Sequence, residues 1–154
     1  MAEKVKVARQ AALNAFCTLR HRLLASHAKI FDVLICGSVR RRKEMCGDLD
    51  VIAVDGTMPI NESRIYRTAE AGIPAQVHFC HPANVGAMIL FATGSAQFNI
   101  CMRARAKRMG YCLNQYGLWK DDEEVSTNED DILQHLGFGR FSDPAMREMK
   151  YGCT

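Results

Sequence analysis

Residues 36–54, CGSVRRRKEMCGDLDVIAV, decide how this chain is read. The apolar run after Gly47 has the character of a strand. Side chains alternate faces along a strand, so Asp48, Asp50, Ile52 and Val54 share one side while Leu49, Val51 and Ala53 take the other. Two carboxylates then project together. Like charges at that spacing repel unless a cation sits between them, which points to a divalent metal with hard oxygen ligands. A solvated turn at a strand edge can carry the same Asp-x-Asp. Just upstream, FDVLIC (residues 31–36) is a short apolar run stopped by Gly37, as a buried strand is. Gly37 and Ser38 then open a loop that contains Arg40, Arg41, Arg42 and Lys43. Glycine lets a backbone approach a phosphate closely, a serine hydroxyl donates to its oxygens, and arginine forks match its geometry. The loop therefore reads as a triphosphate cradle or as a basic hairpin turn.

The totals set wide bounds around this stretch. A chain of 154 residues, 48% hydrophobic and 24% charged, has the size and composition of one globular domain with a real core. The formal net charge of +3 permits a polyanionic partner without demanding one. Cysteines at 17, 36, 46, 80, 101, 112 and 153 form no C-x-x-C pair, and several lie in apolar runs, which points to a reducing compartment. With no signal peptide and no run of eighteen apolar residues, the expectation is a soluble intracellular protein that uses no membrane.

On either side of the central stretch the pattern is mostly helical or extended. Lys4 to about Ser26 reads as an amphipathic helix whose stripe holds Val7, Ala11, Leu13, Ala15, Phe16, Leu19 and Leu23. Ile65 to Ala71 reads as a short helix, with Arg64 and Arg67 facing solvent. Ala75 to Cys80 has period two, placing Gln76, His78 and Cys80 on one face. Adjacent Cys80 and His81 point to opposite faces, so a zinc reading of these residues lacks its second ligand pair. Ser95 is the cap candidate of a helix with Phe98, Met102, Ala106 and Met109 on its apolar side. Asn99, Arg103 and Lys107 make a second stripe on that helix. Two short strands follow, then a helix capped around Thr127 and stopped by Gly137, with Asp121 to Glu124 as a solvated turn.

Gly37-Ser38, nine residues and then Asp48-Leu49-Asp50 resembles the G-S-x9-D-x-D signature of nucleotidyltransferases. The fuller segment, with Arg41 and Gly47 at family spacing, resembles the palm of family X DNA polymerases. The likeness extends to FATGS (residues 91–95), to Asn114-Gln115-Tyr116-Gly117-Leu118 and to the segment from Phe141 to Glu148. It implies an α+β fold: a nucleotidyltransferase palm with a mixed β-sheet and flanking helices over residues 1–92, then a small thumb-like α/β subdomain over residues 93–154 that selects the nucleotide.

By the same resemblance Ser38 and Arg41, with Gly37 and Gly47 beside them, hold an incoming dNTP, and Asp48 and Asp50 hold two Mg2+ ions, with Mn2+ as a substitute. Phe91 and Gly94 pack against the sugar, Asn99 reads the base in the minor groove, and Arg103 and Lys107 meet DNA. The implied partners are primer-template or gapped DNA and a dNTP, with the protein acting as a monomer in the cytoplasm, the nucleoid or a virus-infected host cell. The implied reaction is addition of dNMP to a primer 3′ end, as in short-gap repair.

Three departures qualify this. The third carboxylate of the family falls on Gln76, and an amide coordinates a metal weakly and cannot act as a base. A strand shifted by two would put His78 there instead. Ala92 replaces an aromatic residue, which loosens discrimination of the sugar. An amino-terminal lyase domain is not expected. Transfer to another acceptor, such as an RNA end or a protein, and a weakly active nucleotide- and DNA-binding variant are the alternatives.

Overall fold

The computed structural model describes residues 5–149. Its centre is a four-stranded mixed sheet ordered β2-β4-β6-β5: β2 Ile30–Ile35, β4 Leu49–Asp55, β5 Ser63–Glu70 and β6 Ile73–Cys80. β4 and β6 run parallel, and the other neighbours pair antiparallel. Helix α1, Arg9–Ser26, covers one face. It buries Ala12, Ala15, Phe16, Leu19 and Leu23 against Leu49, Val51 and Ala53 of β4 and Ala75, Val77 and Phe79 of β6. Each large apolar side chain sealed there contributes about 1.5–3 kcal/mol. The opposite face packs Ile52, Val54 and Cys80 against Met88 of helix α3, Val85–Thr93.

Strand parity and the limited reach of α3 place the site. Asp50 has the same parity as Ile52 and Val54, and Gln76 the same parity as His78 and Cys80, but both lie toward the strand starts and stay half-exposed. Helix α3 also serves a second core, in which Ala87 and Leu90 pack with Phe98, Met102 and Ala106 of helix α4, Ala96–Arg108. That core is completed by Leu118, by Ile132 and Leu133 of α5, Glu129–His135, and by Phe138 and Phe141. A three-stranded antiparallel sheet, β7 Cys112–Asn114, β8 Gly117–Lys120 and β9 Glu123–Ser126, lies beside it.

The α+β architecture expected from the sequence is the one observed, with local corrections. Lys4 lies outside the described residues, and the helix begins only at Arg9, because Val7–Ala8 form a two-residue strand, β1, paired with β3, Met45–Cys46. The buried stripe of α1 contains Ala12 rather than Ala11, which is exposed. Gly37–Arg40 is one helical turn, α2, rather than a loop.

The helix expected over residues 65–71 is the edge strand β5. Ile65, Tyr66, Arg67 and Thr68 are drawn into the sheet by a two-residue turn, Ala71 and Gly72, both left-handed at φ 51° and 77°, as a tight hairpin requires. Met109, placed on the apolar stripe of α4, is 41% exposed, and Cys101 is buried instead. The second half carries three strands where two were expected: Asp121 and Asp122 turn left-handed, and Glu123 already belongs to β9. α5 is capped by Asn128, whose Oδ1 accepts from Asp131 N at 2.9 Å, one residue after the expected Thr127.

Cys17, Cys36, Cys46, Cys80 and Cys112 are free thiols. Burial pushes Cys36 up to about 12 and Cys80 up to about 11, so both act as packing groups. Cys101 departs from this pattern and is disulfide-bonded. No described helix is long and apolar enough to cross a membrane.

Candidate functional site

A cleft of about 410 Å³ opens between the mixed sheet and α4. Arg41, Asp50, Gln76 and His78 line it from the sheet side. Phe91, Gly94 and Asn99 line it from α3, the following turn and α4. Asp50 and Gln76 are partners in the parallel β4–β6 ladder, and Ile52 pairs with His78. Gln76 therefore stands opposite Asp50, and His78 lies one ladder step deeper. His78 is 7% exposed, and burial followed by the charge of Arg67 lowers its pKa, which favours neutral imidazole. His81 has turned to local work: its Nδ1 accepts from Ala83 N at 3.0 Å.

The remaining expected residues lie around the cleft rather than in it. Asp48 stands one residue before β4, after a bend at Gly47, half-buried, and does not line the cleft beside Asp50. Gly37 adopts φ 60° and lies so close to Asp50 that a Cβ there would collide with its carboxylate. Arg103 and Lys107 are exposed on α4, with the Arg103 guanidinium 5.6 Å from the centre of the Phe91 ring. Phe91 also meets His78 edge-on, with ring centres 6.3 Å apart.

Two buried side-chain oxygens among the described residues, Ser38 Oγ and Asn99 Oδ1, have no hydrogen-bond partner. The other end of the Asn99 amide is fixed, since Nδ2 donates to Phe91 O at 2.8 Å. Orphaned buried polar groups cost about 1–3 kcal/mol each, and both of these fall at residues singled out from the sequence. The residues expected to hold a hard divalent cation are Asp48 and Asp50, with the Gln76 amide oxygen as a weak third. Among the described residues no group of three or more His, Cys, Asp or Glu gathers to hold a metal. Two carboxylates fit such an ion only if its other positions are filled by phosphate oxygens and water.

The cations after Ser38 do not form a bare cradle; each is met by a carboxylate. Arg40 makes a two-pronged bond to Glu129, at 2.7 and 2.6 Å, and donates to Thr93 Oγ1 at 2.8 Å. Glu129 Oε2 also accepts from the fully buried Arg147 at 3.0 Å, and Arg147 donates further to the carbonyls of Phe141 and Ser142. Burial alone would raise the Glu129 carboxyl, but the hydrogen bonds and charges of Arg40 and Arg147 outweigh it, and the net shift is downward. Arg41 Nε donates to Glu148 Oε1 at 2.6 Å, Arg41 Nη1 donates to Thr93 O, and Arg42 pairs with Asp143 at 2.9 Å.

None of Thr93, Glu129, Arg147 and Glu148 was marked as a site residue by sequence reasoning. Ser63 and Gln115 were likewise missed: both line the cleft, and Ser63 Oγ meets Tyr116 Oη at 3.0 Å. The Asn-Gln-Tyr-Gly segment was the available signal for Gln115.

Residues 88–148 match the family model described as DNA polymerase beta thumb. Comparison with curated proteins finds no match. Among solved structures, Leishmania infantum polymerase beta in a ternary P/T complex matches with a TM-score of 0.76 at 23% identity, covering 94% of this chain and 77% of that one. The same protein in a ternary gap complex matches with a TM-score of 0.76 at 22% identity, covering 94% and 71%. In fold over nearly its whole length the chain is similar to polymerase beta, and in sequence residues 88–148 are similar to the polymerase beta thumb.

Proposed function

We propose that this chain is a metal-dependent DNA polymerase of family X type that adds dNMP to a primer 3′ end, with short gaps as its substrate. The orphaned Oδ1 of Asn99, a residue that lines the cleft, carries this reading, and the orphaned Oγ of Ser38, in the helical turn that leads to Arg41 of the same cleft, supports it. The two similar structures were obtained as ternary P/T and gap complexes, which supports primer-template and gapped DNA as partners here. In this reading residues 1–92 are the palm and residues 93–154 the thumb.

Ser38 and Arg41 hold the triphosphate, Phe91 and Gly94 bear on its sugar, and Asn99 presents Oδ1 to the base edge. Asp48 and Asp50 would hold Mg2+ or Mn2+, which when bound acidifies the attacking hydroxyl and neutralises the departing pyrophosphate. Gln76 orients and does not take a proton. Arg103 and Lys107 on the exposed side of α4 meet the phosphate backbone, which favours a nucleic acid over a protein acceptor.

A second reading, a nucleotide- and DNA-binding protein with weak turnover, is favoured by one observation: an amide stands opposite Asp50. Primer extension on gapped and recessed DNA with Mg2+ separates the two. Robust extension that vanishes in Asp50→Ala supports the polymerase; tight DNA binding with no extension supports the binder.

A further inference from the structure

The guanidinium of Arg41 already holds an anion. Its Nε donates to Glu148 Oε1 at 2.6 Å, and Lys43 Nζ lies 3.7 Å from Glu148 Oε2, so one carboxylate spans two cations of the segment after Ser38. Glu148 is held at that spot by its neighbour, because the fully buried Arg147 is fastened to Phe141 O, Ser142 O and Glu129. The two carboxylates differ in access. Glu129 is 14% exposed between Arg40 and Arg147, whereas Glu148 is 30% exposed and shares Lys43, itself 42% exposed, with solvent.

A carboxylate and a phosphate present similar paired oxygens to an arginine fork, and one Nε–H cannot serve both. We propose that Glu148 is a stand-in anion that a nucleoside triphosphate must displace from Arg41 and Lys43, so that this carboxylate sets how tightly the cleft takes its nucleotide. The proposal rests on the reading of the cleft as a nucleotide site. It assigns the competition to the phosphate chain and none of it to the sugar or base.

The test uses the full chain as wild type, Glu148→Gln, Glu148→Asp and Arg41→Ala, titrated calorimetrically with a non-hydrolysable dNTP analogue and, separately, with inorganic tripolyphosphate. Removing the charge while keeping the shape is expected to tighten both ligands by the same factor, about two- to fivefold, the scale of a partly exposed ion pair. Glu148→Asp, with its shorter reach, is expected to fall between wild type and Glu148→Gln. Arg41→Ala is expected to weaken both ligands. Unchanged or weaker binding in Glu148→Gln would mean that the carboxylate merely props Arg41, and the proposal falls. If wild type and Glu148→Gln bind neither ligand, the nucleotide reading of the cleft falls, and the gate with it.

Discussion

Gln76 sits directly across the β4–β6 ladder from Asp50, and on its other side it faces Arg67 of β5. A carboxylate at this position would stand between Asp50 and the Arg67 guanidinium, where the amide adds no negative charge. Gln76→Asp is therefore expected to raise the single-turnover rate of primer extension by about 10²-fold, the lower range for a positioned base. The gain should be larger with Arg67→Met added, since Arg67 no longer competes for the new charge. No gain from Gln76→Asp together with loss of extension in His78→Ala would move the role to His78.

Ser38 Oγ is buried without a partner, so its removal separates binding from stability. Ser38→Ala should leave the urea midpoint unchanged or slightly higher, because an unsatisfied group is removed. Nucleotide affinity should fall about tenfold, the equivalent of one hydrogen bond to a charged oxygen. A large loss of stability would show that Ser38 supports the fold and not the ligand.

Glu129 joins Arg40 to the buried Arg147, and breaking such a pair from one side leaves a charge unmatched. Glu129→Gln should cost about 3 kcal/mol at pH 7, read from urea unfolding. The folded carboxyl lies below its ordinary value, so this contribution is fully present above about pH 4.3 and fades as pH falls through the lower folded value. The gap between wild type and variant should accordingly narrow in acid; a gap independent of pH would assign the loss to packing.

Arg103 and Lys107 are exposed on one face of α4, while Arg64, on the α1 side of the sheet, lies 4.8 Å from the centre of the Phe79 ring. Replacing Arg103 or Lys107 by alanine should weaken primer-template binding for every sequence and reduce the magnitude of the salt slope by about one unit each. Arg64→Ala should leave that slope alone. Equal effects from all three would indicate only net charge.

Ala92 lines the cleft beside Phe91, where a second aromatic ring is lacking. Discrimination between dNTP and rNTP in single-nucleotide extension should be modest, and Ala92→Phe should sharpen it. Strong rejection of rNTP by the wild type would contradict this.

Legibility in the sequence followed range of interaction. The strand over residues 75–80, with Gln76 and His78 on one face, could be read because strand parity is a local signal, and the cap at Ser95 likewise. Strand β5 was misread because its pairing is set by the neighbouring β6 and a left-handed Ala71-Gly72 turn, neither of which shows in the periodicity of residues 65–71. The pairing of Arg40 with Glu129 spans 89 residues and that of Arg41 with Glu148 spans 107. Nothing in the spacing of charges along the chain announces partners so distant, so the segment after Ser38 read as open to phosphate when its cations were already engaged.

Helix α3 gives Met88 to one core and Ala87 and Leu90 to the other, and it ends at the residues that wall the cleft. It is thus a party wall between two rooms. Neither half can tilt alone without shearing a packed face of this helix, and a tilt of the whole helix carries Phe91 with it. The width of the cleft is geared to the packing of both halves, so that volume changes at the buried side chains of Leu90 or Met88 should alter the distance between its two walls.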